Sequence, residues 1–279
     1  MAIKSEAKLT TFEAISMIVG NSIGTGIIAV PYLATKNSMI DVIWMVGAAY
    51  IINVILHLII AELSYNNGGV QLVKSFEGEL FHGVMKKVFS WIVFVVYGLA
   101  IMIGVSGNPG KIRKSIFIGF GLSSAFVLVV TLTVLLGTKG TIDKELAYMQ
   151  LGESIGKWAV ILAGIFSLFA LLTTFWSNTL ALRDVVHEQV GIGNRVSWLI
   201  ATVPCILFAI FGVSSFIILT RIMSGVVVLV SIMLVLTYGK SRKKAGASPI
   251  CGVIGTLPFQ ILMVVSTIVS AIGALIPLS

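Results

Sequence analysis

Residues 18–31, IVGNSIGTGIIAVP, set three glycines, an asparagine, a serine and a threonine inside a run otherwise apolar enough to cross a bilayer. Glycine costs about 1 kcal/mol against alanine in a helix interior. Non-helical backbone at membrane depth is tolerated only where it is buried in protein or lines a watery cavity. The spacing therefore predicts a first helix broken into halves at about 12–19 and 26–33. The second half would turn its free N–H groups and positive dipole end toward mid-bilayer, where a carboxylate is the natural ligand. The predicted anion site comprises Gly20, Asn21, Ser22, Ile23, Gly24, Thr25 and Gly26, and freed carbonyls between Gly20 and Ile23 could coordinate a cation. A plainer reading of Gly20 and Gly24 is close approach of a neighbouring helix.

Two ionisable residues stand in a second apolar run. His57 and Glu62 in "HLIIAE" are functional suspects by position, as a proton relay; the alternative is an interfacial Glu62 and a neutral His57 bonded to a neighbouring helix. Arg221 is placed to snorkel to headgroups. Arg183 and Asp184, adjacent in sequence, are expected to point apart and find other partners. Cys205 and Cys251 lack CxxC spacing and neighbouring histidines, which argues for packing roles over a metal site or disulfide. No Ser/His/Asp set, metal-ligand cluster or phosphate loop can be assembled, so no enzyme and no cofactor is expected.

The elements that must position these residues follow from composition. Of 279 residues, 57% are hydrophobic and 11% charged, which makes the solvent a bilayer. Runs near 12–33, 42–64, 85–105, 115–136, 157–182, 196–211, 217–238 and 250–277 approach the roughly 20 residues of a span. They are too continuous for barrel strands, so the fold class is all-α, a polytopic protein of seven or eight transmembrane helices. The first run lacks a small-x-small cleavage motif and reads as retained. A short surface helix is expected between Asn66 and Lys87. The net charge of +8 lies in short connections and forms no basic face, so the partner is lipid and not nucleic acid.

The basic residues also report topology. With the N-terminus in the cytoplasm, Lys4 and Lys8 are inside, Lys36 is outside, and Lys74, Lys86 and Lys87 are inside again. One further crossing at 85–105 would put Lys111, Arg113, Lys114 and the Lys240–Lys244 cluster outside, against the positive-inside bias. An even number of crossings there restores it and brings 14 of the 19 Lys and Arg inside.

Four stretches resemble amino-acid permeases of the amino acid/auxin and aromatic amino-acid permease type, in the amino acid–polyamine–organocation superfamily. "VGNSIGTGIIAVPYLAT" resembles their first helix, "AELSYNNGGVQLVKSFEGELFHG" the end of the second and its loop, "GNPGKIRKSIFIGF" the loop before the seventh, and "GIFSLFALLTTFWSNTLALRDVVHEQVGI" the eighth. The resemblance covers nearly the whole chain in family order. It implies one permease domain over 1–279, a partial LeuT-type inverted-repeat fold, and ion-coupled amino-acid transport across the plasma membrane. It also implies that Thr173 and Thr174 supply hydroxyls opposite the carbonyls of Gly20 and Ile23 for Na⁺, H⁺ being the other coupling ion. Alternatively the two threonines bond back to their own helix. Near 101–107 the sequence departs from the family by stepping over helices four to six, an odd number, in accord with the charge phase. The sixth holds half of the usual site, so self-association is expected. The rival reading is a shortened, non-transporting paralogue serving as an assembly or regulatory subunit, or an inactive deletion product.

Overall fold

A computed structural model describes residues 10–35, 37–69, 72–80, 108–138, 154–211 and 216–275, with some side chains inside these helices, including those of residues 24–29 and 216–221, left aside. The segment 85–105, the departure near 101–107, and Arg221 as a side chain lie outside what is described. The described residues form eight α-helices: α1 Thr11–Thr35, α2 Met39–Asn66, α3 Leu72–Glu79, α4 Pro109–Gly137, α5 Lys157–Val190, α6 Asn194–Ile210, α7 Phe216–Ala245 and α8 Leu257–Leu275. The protein is all-helical and polytopic. Five helices, α2, α4, α5, α7 from Ile222 onward, and α8, are long and apolar enough to cross a membrane. The protein is thus built to be embedded in one.

Helix starts follow from local chemistry. Thr10 and Glu13 form a reciprocal capping box, Thr10 N–H donating to Glu13 Oε2 at 2.7 Å and Glu13 N–H to Thr10 Oγ1 at 3.2 Å. Ser38 and Asp41 repeat it at α2. Asn108 caps α4 by accepting from Gly110 N–H at 3.0 Å, with Pro109 at the first helical position.

Two differences from the sequence-based expectations concern function. First, α1 is a continuous helix from Thr11 to Thr35 and is not split at residues 20–26. An unpaired peptide group in apolar surroundings costs several kcal/mol, against about 1 kcal/mol for each glycine kept helical. Continuity wins. Second, the last span begins at Leu257, not at 250. Residues 252–255 form a 3-10 turn, because the backbone just before it is bonded elsewhere, as described below. The expected short helix after Asn66 is α3, which buries Leu72, Ser75 and Phe76.

The described residues gather into two compact units, one drawn from residues 10–54 and 114–177, the other from 55–113 and 178–275. In the first, Ile23 of α1 and Val127 of α4 form a buried pair, flanked by Val19, Val30, Val130 and Ala170. Gly119 of α4 lets α1 come close: a Cβ there would sit 2.7 Å from Ile18 Cγ2. In the second unit, Leu58, Ile59, Leu63, Phe76, Val185, Leu234, Tyr238 and Met263 are buried. There α7 packs along α8, joined by a hydroxyl pair, Ser231 Oγ to Thr267 Oγ1 at 2.9 Å.

Candidate functional site

Two constellations combine polar groups with burial, one in each unit. The first is where α5 meets α1. Thr174 Oγ1 lies 3.0 Å from the carbonyl oxygen of Gly20, and Thr173 Oγ1 lies 3.4 Å from the same atom. Each hydroxyl is also 2.9 Å from Ala170 O, one turn back on its own helix. The back-bonding to their own helix is present, and each hydroxyl, with one proton, also approaches α1. Asn21 Oδ1 is buried without a hydrogen-bond partner among the described residues.

Gly20 O, Thr173 Oγ1 and Thr174 Oγ1 make a cluster of neutral oxygens, with Asn21 O 3.5 Å from Thr174 Oγ1. Neutral oxygens without a carboxylate suit a hard monovalent cation better than a divalent one. Ile23, also expected to contribute its carbonyl, has its side chain buried against Val127 within the continuous helix. Ser22 is half-buried on α1. The backbone of Gly24, Thr25 and Gly26 is helical, so their N–H groups do not form the open end of a second half-helix. Their side chains, like those of residues 27–29, lie outside what is described.

The second constellation centres on Glu62, which is 0% exposed at the end of α2. Its carboxylate is enclosed by protein. Its Oε1 accepts from Tyr238 Oη and from Ser248 Oγ, each at 2.7 Å. Its Oε2 accepts from the N–H of Ile250 at 3.0 Å and of Cys251 at 2.7 Å. Four neutral donors satisfy one buried carboxylate, the condition under which burying such a group is tolerable. This draws residues 248–251 off the start of α8 and explains why the last span begins late. The glycine at 255 is required by close approach, since a Cβ there would lie 2.2 Å from the Tyr238 hydroxyl and 2.9 Å from Cys251 Cβ.

Cys251 is buried and Cys205 exposed, and neither is in a disulfide. Burial pushes the Cys251 thiol above its ordinary range, and the neighbouring Glu62 charge adds to that. His57 is half-buried one and a half turns up α2 and is not among the four donors to Glu62.

Glu79 at the end of α3 gathers two lysines of α7. Lys244 Nζ pairs with both carboxylate oxygens of Glu79, at 2.9 and 2.8 Å, and Lys240 Nζ donates to Glu79 O at 3.0 Å, capping α3. The connection after α2 and the end of α7 thus lie together, as the basic-loop phase requires. Arg183 and Asp184, expected to part, pair with each other: Nε of Arg183 donates to Asp184 Oδ1 at 2.7 Å. The long arginine stem lets its guanidinium fold back, which adjacency on a helix does not forbid.

Sequence reasoning found Gly20, Thr173, Thr174 and Glu62 but missed Tyr238, Ser248 and Gly255. Their only signal was an intramembrane carboxylate without a sequence-local partner. Among the described residues no group of His, Cys, Asp and Glu is arranged to hold a metal ion. No protein-family model, curated protein or solved structure matches the chain.

Proposed function

We propose that this chain is a secondary transporter of amino acids in the plasma membrane, with its N-terminus cytoplasmic and its transport coupled to Na⁺ or H⁺. The observation that supports this best is the convergence of the Thr173 and Thr174 hydroxyls on the Gly20 carbonyl, at the glycine-rich stretch of α1. A cation at this point draws on Gly20 O and the two threonine oxygens, whose protons turn away toward Ala170 O. The amino-acid carboxylate is taken by backbone N–H groups between Gly20 and Gly26. That step needs α1 to open at Gly24 and Gly26, where the helix is written with the residues that hold it least firmly. No covalent chemistry is part of this reading, and self-association supplies the groups that one copy lacks.

The test is uptake into proteoliposomes of radiolabelled amino acids under an imposed Na⁺ or H⁺ gradient, with the oligomeric state measured in parallel. Saturable uptake that falls at least tenfold in Thr173→Val/Thr174→Val supports the reading. Folded, associated protein that neither takes up nor binds any amino acid overturns it and leaves a non-transporting subunit.

A further inference from the structure

Between α7 and α8 runs an open groove that plays no part in the transport reading. Ile232, Val235 and Leu236 wall it from α7, and Ile261, Val264 and Val265 from α8, around a volume of about 240 Å³. Gln260 also lines it, but its amide is turned to Gly255 O at 2.8 Å, so the lining is aliphatic. Five of these residues are β-branched and have few rotamers, which keeps the walls stiff. Ile232, Leu236, Ile261 and Val265 are exposed along the open side.

The groove leads to a charge. At about 100° per residue, Ile232, Val235 and Leu236 share one face of α7 with Gly239 and Lys243. Contacts fix the faces to either side. Ser231 and Arg242 lie toward α8, bonded to Thr267 Oγ1 and to Gly255 O. Lys240 and Lys244 lie on the opposite side, toward α3, and both are bonded to Glu79. The groove face passes between them. Gly239 leaves it unobstructed, since a Cβ there would meet nothing within 4 Å. Lys243 stands beyond, exposed and in no ion pair among the described residues. From Ile222 to Lys240 the helix rises about 27 Å, close to the hydrocarbon thickness of a bilayer, so Lys243, one turn further on, stands at headgroup level.

We propose that this groove binds an anionic phospholipid, with one acyl chain lying along Ile232–Leu236 and Ile261–Val265 and the headgroup phosphate meeting the Lys243 ammonium. Charge complementarity selects that occupant. An acyl chain gains little by leaving bulk lipid for an equally apolar wall, so the groove alone would let lipids exchange freely. The ion pair distinguishes one lipid class from another. A zwitterionic lipid offers the same phosphate but brings its own cation to the end of α7, where Lys240, Arg242, Lys243 and Lys244 outnumber the carboxylates of Glu79 and Glu62. Like charges repel there, and an anionic headgroup is retained.

The proposal holds whatever the chain carries. Its test is native mass spectrometry of the purified full-length protein released from bilayers of phosphatidylglycerol and phosphatidylcholine in equal parts with matched acyl chains, reading which lipid stays bound. The wild type is expected to retain phosphatidylglycerol about fivefold over phosphatidylcholine, the scale of one lysine at an anionic headgroup. Lys243→Gln should abolish the preference, and Lys157→Gln, at the exposed start of α5, should leave it intact. Ile261→Trp, which fills the groove, should abolish it with Lys243 still in place. Excess inorganic phosphate should not displace the lipid, because it has no chain to lay in the groove. Equal retention of the two lipids by the wild type overturns the proposal, as does a preference that survives Lys243→Gln or Ile261→Trp, or one lost as fully in Lys157→Gln, or displacement by phosphate. Efficient disulfide cross-linking of two copies through Ile261→Cys in a Cys205→Ser background also overturns it, since a second copy would then fill the groove.

Discussion

Replacing Glu62 separates the cost of losing a charge from the cost of stranding its donors. Glu62→Leu removes the carboxylate and the desolvation it suffers, a change that by itself is often neutral or favourable. It also leaves the N–H groups of Ile250 and Cys251 facing a methyl group in a site that is 0% exposed. The hydroxyls can recover by pairing across their 3.4 Å separation, but the two amides have no such outlet. At about 1–3 kcal/mol for each stranded donor, the expected loss is about 2–6 kcal/mol. Glu62→Gln behaves differently, because its Oε1 accepts from both amides while its NH₂ donates to the two hydroxyl oxygens. Its cost should stay near 1 kcal/mol, the scale of one ordinary hydrogen bond. Reversible unfolding in mixed lipid–detergent micelles measures both. The unfolding constant should rise about thirtyfold to twenty-five-thousandfold for leucine and about tenfold at most for glutamine. A leucine variant as stable as the glutamine variant would refute the reasoning, since it would mean that the segment 248–251 relaxes and finds other acceptors.

Other tests follow from the same geometry. Gly255→Ala drives a methyl group toward the Tyr238 hydroxyl and Cys251, and should cost about 1–3 kcal/mol in the same assay; unchanged stability would show that Tyr238 is not held where it lies. Gly119→Val should loosen α1 from α4 by a similar amount, because the stem of Ile18 stands 2.7–2.8 Å from the new Cβ, and a full thermal-stability match to wild type would count against that contact. The Cys251 thiol is held above its ordinary range, so its contribution to stability is fully present below about pH 8.5 and declines as the pH rises beyond that, where the unfolded chain ionises first. Peptide-resolved maleimide labelling of the folded protein should accordingly stay slow through that range, and labelling at the rate of a free thiol would contradict the burial. For topology, single cysteines at the exposed positions Lys74, Lys111 and Lys243 should resist an impermeant reagent in intact cells; ready modification from outside would reverse the orientation.

Much of this protein is legible in its sequence for a simple reason. An apolar solvent obliges every spanning segment to pair its own backbone, so hydropathy alone defines an all-helical, membrane-embedded chain. Local signals were equally readable: Thr10 with Glu13, Ser38 with Asp41 and Asn108 before Pro109 mark helix starts through contacts at most three residues long. The glycines of α1 were misread as a break, because their propensity is a local quantity, whereas the penalty for unpaired backbone in an apolar setting is larger and is set by the surroundings. The Glu62 centre depended wholly on tertiary structure. Its acceptor and its donors are separated by 176 to 189 residues, and nothing in the pattern of Tyr238, Ser248 or Gly255 anticipates a carboxylate from α2. The sequence determines that a carboxylate enters an apolar environment; only the packing of α2 against α7 and the segment before α8 decides that four neutral donors meet it there.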